Sequence, residues 1–215
     1  MKSYGQYCAL ARGLDVIGDR WTLLIVRELL AGPCRYSDLL EGLPGIATNL
    51  LADRLRGLEE RGVVARDTQA RYRLTAWGQE LGEPVHAIAR WAARLMAAPP
   101  ADDAFRSNWL ALPVAVIFEG TDPRRPRLTI EVRTGEAPVT IESRNGQVHV
   151  VPGPAMSPDL VLTGPPDGII DLLIGTLDHT SAVSRGVTTE GDVRQLARLR
   201  RPPALPARVT AHPGR

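Results

Sequence analysis

Cysteine and lysine are nearly missing from this chain, and so are long apolar runs. Two cysteines, Cys8 and Cys34, are too few for a disulfide framework in 215 residues, which fits a reducing compartment. Neither belongs to a Cys-x-x-Cys or Cys/His cluster, so no metal site is expected. No apolar stretch approaches the roughly 18 residues needed to span a bilayer, because the segments 22–26 and 168–175 are soon interrupted. The opening MKSYGQYCALARG also lacks the continuous apolar core of a secretory signal, and a cytoplasmic location is expected. There is no Gly-x-Ser-x-Gly, no His-Glu-x-x-His, no Gly-rich phosphate loop and no convincing carboxylate pair, so neither enzymatic chemistry nor a cofactor is expected. Lys2 is the only lysine. The other cations are arginines, whose forked guanidinium suits phosphate and guanine, although a biased genomic composition explains them equally well. A net charge of +2 is too small to define a partner, so any basic surface must be local.

What the chain does have is enough length and apolar content, 44%, for two small folded domains. Helical periodicity runs through residues 8–17 and 21–30 and stops at Gly32-Pro33; a short helix is expected over 36–41. The turn Leu43-Pro44-Gly45-Ile46 precedes a fourth helix over 48–60, with Gly62 in the C-terminal cap position. Val63 and Val64 open a strand, and Arg71, Arg73 and Thr75 alternate with Tyr72 and Leu74 in a returning one, giving a hairpin wing. A long helix over 77–97 follows, with Leu81, Val85, Ile88, Trp91, Ala92 and Leu95 at helical spacing. Ala97-Ala98-Pro99-Pro100-Ala101 then breaks the pattern. The expected organisation is a first domain at 1–98, a linker at 99–105, a second domain at 106–201 and a disordered Pro/Ala-rich tail at 202–215.

The second half alternates in short segments at 114–118, 128–132, 139–141, 148–151 and 160–162. Turns such as Gly120-Thr121-Asp122-Pro123 and Arg144-Asn145-Gly146 separate them, and helices are expected over 167–177 and 192–200. The fold class is therefore a mainly α winged helix-turn-helix domain followed by an α+β domain with an antiparallel sheet covered by helices.

In the helix over 48–60, Leu51, Leu55 and Leu58 share one face, leaving Asn49, Ala52, Asp53 and Arg56 on the other. Asn49 can pair with adenine and Arg56 with guanine or phosphate, while Thr48 can cap the helix and touch phosphate at once. Arg54, at the edge of the buried face, is placed for phosphate rather than a base. Arg66, Arg71 and Arg73 charge the wing. Taken singly, each arginine is equally a solvated surface residue. A short helix, a Leu-Pro-Gly turn, a Leu-spaced helix and an Arg-bearing hairpin in this order point to double-stranded DNA.

Cys8, the run Leu14-Asp15-Val16-Ile17-Gly18-Asp19-Arg20-Trp21, Arg27-Glu28-Leu29, Gly32, Tyr36-Ser37-Asp38-Leu39, the Leu43–Ile46 turn and Leu50-Leu51-Ala52-Asp53-Arg54-Leu55 together resemble the HxlR family of bacterial winged helix-turn-helix regulators. The resemblance spans residues 8 to about 97. It implies a homodimer built from the first and last helices of the domain and an inverted-repeat operator; Arg35 and Ser37, beside the helix-turn-helix, are further candidate DNA contacts. Val85, Ile88, Trp91 and Leu95 are the candidate dimer surface, with burial inside the monomer as the other reading. Some members sense oxidants through a cysteine near the N-terminus, the place Cys8 occupies; a packed, inert thiol is the alternative. Cys34, beside a Gly-Pro turn, is assigned no role.

In the second half, Asp159-Leu160-Val161-Leu162-Thr163-Gly164, the segment 169–175, the run 184–192 and Leu196-Ala197-Arg198-Leu199 resemble sterol carrier protein type 2-like domains over about 106–201. The resemblance implies a sheet and helices around an apolar tunnel for a lipid or other hydrophobic small molecule. Candidate ligand residues are Trp109, Phe118, Ile141, His149, Met156, Leu173 and Leu177; the aliphatic ones would fill a solid core as readily as line a tunnel. His149 has no Cys, Asp or Glu at metal-ligand spacing, and Asp178-His179 reads as a helix-terminal loop rather than an acid-base pair.

Three functions follow as expectations. The first is a transcriptional regulator whose operator affinity responds to a hydrophobic effector held in the second domain. The second is a carrier or sequestering protein dimerised by its N-terminal domain. The third is a regulator that senses oxidants at Cys8.

Overall fold

The structure, a computed structural model, describes residues 3–97, 103–117, 127–144 and 147–198. The chain divides into two compact units, Met1–Ile88 and Ala89–Arg215. Residues 98–102 of the expected boundary and linker, Phe118, and the whole expected tail at 202–215 lie outside the described residues.

In the first unit α1 (Ala9–Ile17), α2 (Thr22–Leu30), α3 (Tyr36–Gly42) and α4 (Thr48–Glu60) lead into a hairpin of β1 (Val64–Arg66) and β2 (Tyr72–Leu74). Ile25, Leu29, Leu39, Leu43, Leu51 and Leu55 are among its fully buried side chains. Helix α4 stops where expected because Gly62 takes a φ of 72°, which returns the Val63 amide to the Leu58 carbonyl and the Gly62 amide to the Glu59 carbonyl, both at 3.0 Å. The hairpin pairs Val64 with Leu74, Ala65 with Arg73 and Arg66 with Tyr72. Cys34 joins it through backbone hydrogen bonds of 2.8 and 2.9 Å with Tyr72, so the segment before α3 is tied to the wing.

The single long helix expected over 77–97 is instead α5 (Ala76–Gln79), α6 (Gly82–Ala92) and a 3-10 turn, Ala93–Ala97. Pro84 accounts for the break: in an unbroken helix its nitrogen would have to donate to the Glu80 carbonyl, and it carries no hydrogen.

The second unit holds a 3-10 turn (Ser107–Leu110), α7 (Ala111–Ile117), β3 (Leu128–Arg133), β4 (Val139–Arg144), β5 (Gln147–Pro152), β6 (Leu160–Thr163), α8 (Pro166–Ile174), α9 (His179–Ser184), β7 (Thr188–Gly191) and a second 3-10 turn, Val193–Arg198. The strand expected at 114–118 is a helix in its described part. Leu110 and Val114, four residues apart, are both buried in the core, as residues on one side of continuous helical turns are. The residues 188–191, expected as a connection, form the edge strand β7, and the expected last helix is the 3-10 turn.

The sheet order is β5-β4-β3-β6-β7. It is mixed, not antiparallel: β3 runs parallel to β6, while the other three pairings are antiparallel. Parallel neighbours need a crossover, and residues 153–159 supply it. Thr140 Oγ1 donates to the Gly153 carbonyl at 2.9 Å, the Ala155 amide donates to the Glu131 carboxylate at 3.0 Å, and the Asp159 amide and carboxylate bond the Thr129 carbonyl and amide at 2.8 Å each. The register puts Thr129, Glu131 and Thr140 on one face of the sheet and Ile130, Val132 and Ile141 on the other. The apolar face packs with Leu110, Val114, Ile169, Leu172, Leu173, Ala182 and Leu196 into one core.

Candidate nucleic-acid interface

Helix α4 buries Leu51, Leu55 and Leu58 and leaves Thr48, Asn49, Asp53 and Arg56 exposed. Its N-cap is Ala47, not Thr48: the chain turns helical one residue earlier than a Thr48 cap requires, and no side chain caps the end. First-turn amides are therefore left for another acceptor, apart from that of Leu50, which donates to Asn49 Oδ1 at 2.9 Å. The Tyr36 hydroxyl donates to the Thr48 carbonyl at 2.6 Å and locks α3 to the start of α4. Asp38 fixes α3 in turn by accepting from the Arg35 amide at 2.9 Å and from Ser37 Oγ at 3.2 Å. Arg35 and Ser37 are both exposed beside this turn.

The arginines separate by partner. Arg56 Nη1 lies 3.0 Å from Asp53 on the exposed face, a pair that solvent screens. Arg66 is clasped by Glu59 at 3.2 Å and by the Tyr72 hydroxyl at 2.6 Å, with its guanidinium 4.5 Å from the Tyr72 ring centroid. Arg71 belongs to the wing tip, where Asp67 accepts from the amides of Arg71 and Gln69 and from the Arg71 guanidinium. Those bonds, led by the Arg71 amide, hold the Asp67 carboxyl below the usual carboxylate range. Arg54 points to the connection between α1 and α2, with Nη1 3.6 Å from Asp19 and Nε 3.4 Å from the Arg20 carbonyl. Arg35 and Arg73 have no carboxylate partner among the described residues, and both are exposed.

Sequence reasoning missed Asp67, Tyr36 and Asp19, which build this surface without belonging to its outer face. Asp67 was legible in principle, because a carboxylate four residues before Arg71 in a hairpin tip fits an Asx-type turn. The Asp19–Arg54 pair spans too much sequence to have a local signature.

The candidate dimer residues divide. Val85 is buried, whereas Ile88, Trp91 and Leu95 are exposed, Trp91 at 67%. Leu10 on α1 is exposed as well. Cys8 is exposed at the N-cap of α1. Cys34 is half-buried; burial, with Glu28 and Asp38 nearby, pushes its thiol up to about 11, so it stays protonated and unreactive near neutral pH.

The candidate ligand residues are not all brought together. Ile141 and Leu173 sit in the second unit's core, and Trp109 and Leu177 are half-buried. His149 is exposed on the opposite sheet face, paired with Glu142, and Met156 is fully exposed in the crossover. Asp178 caps α9 by accepting from the Ser181 amide at 2.7 Å, and His179 Nε2 meets Thr189 Oγ1 at 2.9 Å, so the two side chains serve separate contacts. No helix among the described residues is long and apolar enough to cross a membrane.

Comparison with known proteins assigns the N-terminal region. The family model for HxlR-like helix-turn-helix proteins matches residues 16–99. An uncharacterized HTH-type transcriptional regulator of Synechocystis is 38% identical over 87 residues, covering 38% of this chain and 64% of the relative, so the chain spans just under two thirds of that protein. The HTH-type regulator YvaP of Bacillus subtilis is 36% identical over 87 residues, 38% of this chain and 81% of its own length. The crystal structure of quinone-bound YodB from B. subtilis aligns at 32% identity over 40% of this chain and 98% of that chain, with a TM-score of 0.38. The match to the family model, together with YvaP's identity and coverage, places this chain in the HxlR-like helix-turn-helix family.

Proposed function

We propose that the chain is a homodimeric transcriptional regulator that reads duplex DNA through α4 and the wing. The observation that carries this reading is the division of α4: three leucines are buried, while the uncapped N-terminus bears exposed Thr48 and Asn49, and Arg56 is exposed about two turns further along. An uncapped helix start offers amides and a positive dipole end to a phosphate. Arg35 and Arg73 add unpaired charge for the backbone, while Asn49 and Arg56 are placed for base edges. Arg66 and Arg71 act mainly to shape the wing. The exposed Leu10 and Ile88 of the first unit supply apolar surface for a second copy, and Trp91 and Leu95 are exposed in their own right.

The test uses the salt dependence of binding. Each phosphate contact contributes about 0.9 to the slope of log affinity against log salt. Arg35→Ala combined with Arg73→Ala is expected to lower that slope by about 1.8 and to weaken all duplexes alike. An unchanged slope removes these two residues from the interface.

The second unit is proposed to hold a hydrophobic effector, with Trp109, Ile141, Leu173 and Leu177 nearest to it. Its support is the sterol-carrier-like pattern and the layering of helices on one apolar sheet face. Native mass spectrometry of the purified chain before and after organic extraction tests this: a bound hydrophobic mass supports it, and a ligand-free protein that still binds DNA tightly refutes it. A redox reading is favoured only by the exposure of Cys8. It requires that Cys8→Ser abolish any loss of DNA binding caused by a quinone or diamide, and a response surviving in Cys8→Ser rules it out.

A further inference from the structure

The connection between α1 and α2 is strained, and it touches both parts of the helix-turn-helix. Trp21, the residue before α2, has a φ of 81°, a left-handed conformation that a bulky non-glycine residue adopts only when its surroundings impose it. Its ring lies against Gly45, where an added Cβ would sit 3.8 Å from Cη2. Gly45 belongs to the turn before α4 and itself has a φ of 88°. On the other side, the Arg54 guanidinium reaches the Asp19 carboxylate and the Arg20 carbonyl. Arg20 in turn stands 5.6 Å from the Trp21 ring centroid. Asp19, Arg20 and Trp21 therefore grip α4 at Arg54 and the preceding turn at Gly45.

We infer that Arg54 is a positioning residue, which sets the pose of α4 by holding this elbow and does not meet DNA phosphate itself. Its side chain is 26% exposed and its nearest carboxylate, on Asp19, is 29% exposed, so the pair is sheltered but not desolvated. The elbow also connects α4 to α1, which carries Cys8 and the exposed Leu10. A change at α1 thus has a short route to the helix that faces DNA, covalent as far as the elbow and then through the Asp19–Arg54 ion pair. The inference rests on the DNA-binding reading above.

The two roles for Arg54 give opposite results when Asp19 is neutralised. For a phosphate contact, Asp19→Asn frees the guanidinium and strengthens binding, and Arg54→Gln lowers the salt slope by about 0.9. For a positioning residue, Asp19→Asn and Arg54→Gln each weaken binding, by up to about fivefold for a partly exposed ion pair. The slope then stays constant, and the double variant is no weaker than the worse single one.

Fluorine NMR of the fluorotryptophan-labelled full chain supplies a readout that needs no DNA. The chain has four tryptophans, and the Trp21 resonance is identified by its loss in Trp21→Phe. Arg54→Gln is expected to shift that resonance and leave the other three in place. A Trp21 resonance unmoved by Arg54→Gln, or stronger DNA binding by Asp19→Asn, overturns the inference. Failure of the unmodified chain to bind any duplex overturns the DNA-binding reading instead, while the Trp21 shift still decides whether the elbow is held by Arg54.

Discussion

Gly78→Ala is expected to destabilise the N-terminal unit by about 3 kcal/mol, at the upper end of overpacking costs, and to abolish DNA binding with it. Gly78 is buried in α5, and a Cβ there would fall inside van der Waals contact with the Val63 carbonyl oxygen and 3.2 Å from Leu74 Cδ2. Neither neighbour can retreat. The Val63 carbonyl accepts from the Thr75 amide at 3.0 Å, and the Thr75 hydroxyl holds the Gly62 carbonyl at 2.7 Å while accepting from the Gly78 amide. The same atoms fix where α4 ends, where the wing begins and where α5 turns away. The measurement is urea unfolding followed by far-ultraviolet circular dichroism. A stability loss well under 1 kcal/mol would show that α5 moves aside more easily than this hydrogen-bonded corner implies.

The second large effect belongs to the C-terminal unit. Glu131→Ala is expected to cost about 2–4 kcal/mol, because it removes the carboxylate that receives the crossover. Glu131 is 4% exposed and accepts from the Ala155 amide at 3.0 Å and from Arg133 Nε at 2.6 Å. Arg133 is half-exposed and recovers water when its partner is lost, so most of the cost comes from the Ala155 amide and from the unfilled space beneath residues 153–158. Glu131→Gln keeps an acceptor and is expected to lose less than half as much. Hydrogen exchange at Ala155 checks the mechanism: protection should vanish in Glu131→Ala and survive in Glu131→Gln. Equal loss in both variants would mean that charge, not the acceptor, holds the crossover.

The first unit was legible because its signals are local. Leu51, Leu55 and Leu58 at helical spacing, closed by Gly62, define α4 to the residue, and the alternation around Tyr72 and Leu74 defines the wing. The second unit hid two features. Residues 114–117 are apolar throughout, so nothing in their periodicity separates a strand from the helix α7, and the burial of Leu110 four residues before Val114 fits either. The direction of β6 was also illegible. A strand following β5 after a short connection reads as the next strand of a meander, and only the polar anchors Thr129, Glu131 and Thr140 reveal that the chain crosses the sheet first.

At the candidate interface the types of residue were legible but their roles were not. Arginines on α4 and on the wing all look alike in sequence. Their division into open Arg35 and Arg73, wing-building Arg66 and Arg71, and elbow-holding Arg54 depends on carboxylates and a tyrosine supplied by tertiary structure. The same holds for the effector candidates. Period-two alternation places Ile141 and His149 on opposite sides of their sheet once the register is known, and register between strands is not a property of either strand alone.

The central claim, that this chain is a sequence-specific, dimeric DNA-binding regulator, is tested most directly by selecting duplexes from a random library with the full-length protein and titrating the enriched sequence. The account predicts an inverted repeat with half-sites about 10 base pairs apart, or a multiple of that spacing, bound about a thousandfold more tightly than a scrambled duplex. Binding should fall steeply between roughly 50 and 200 mM salt. A library that yields no common sequence, or a selected duplex bound no better than its scrambled form, would contradict it.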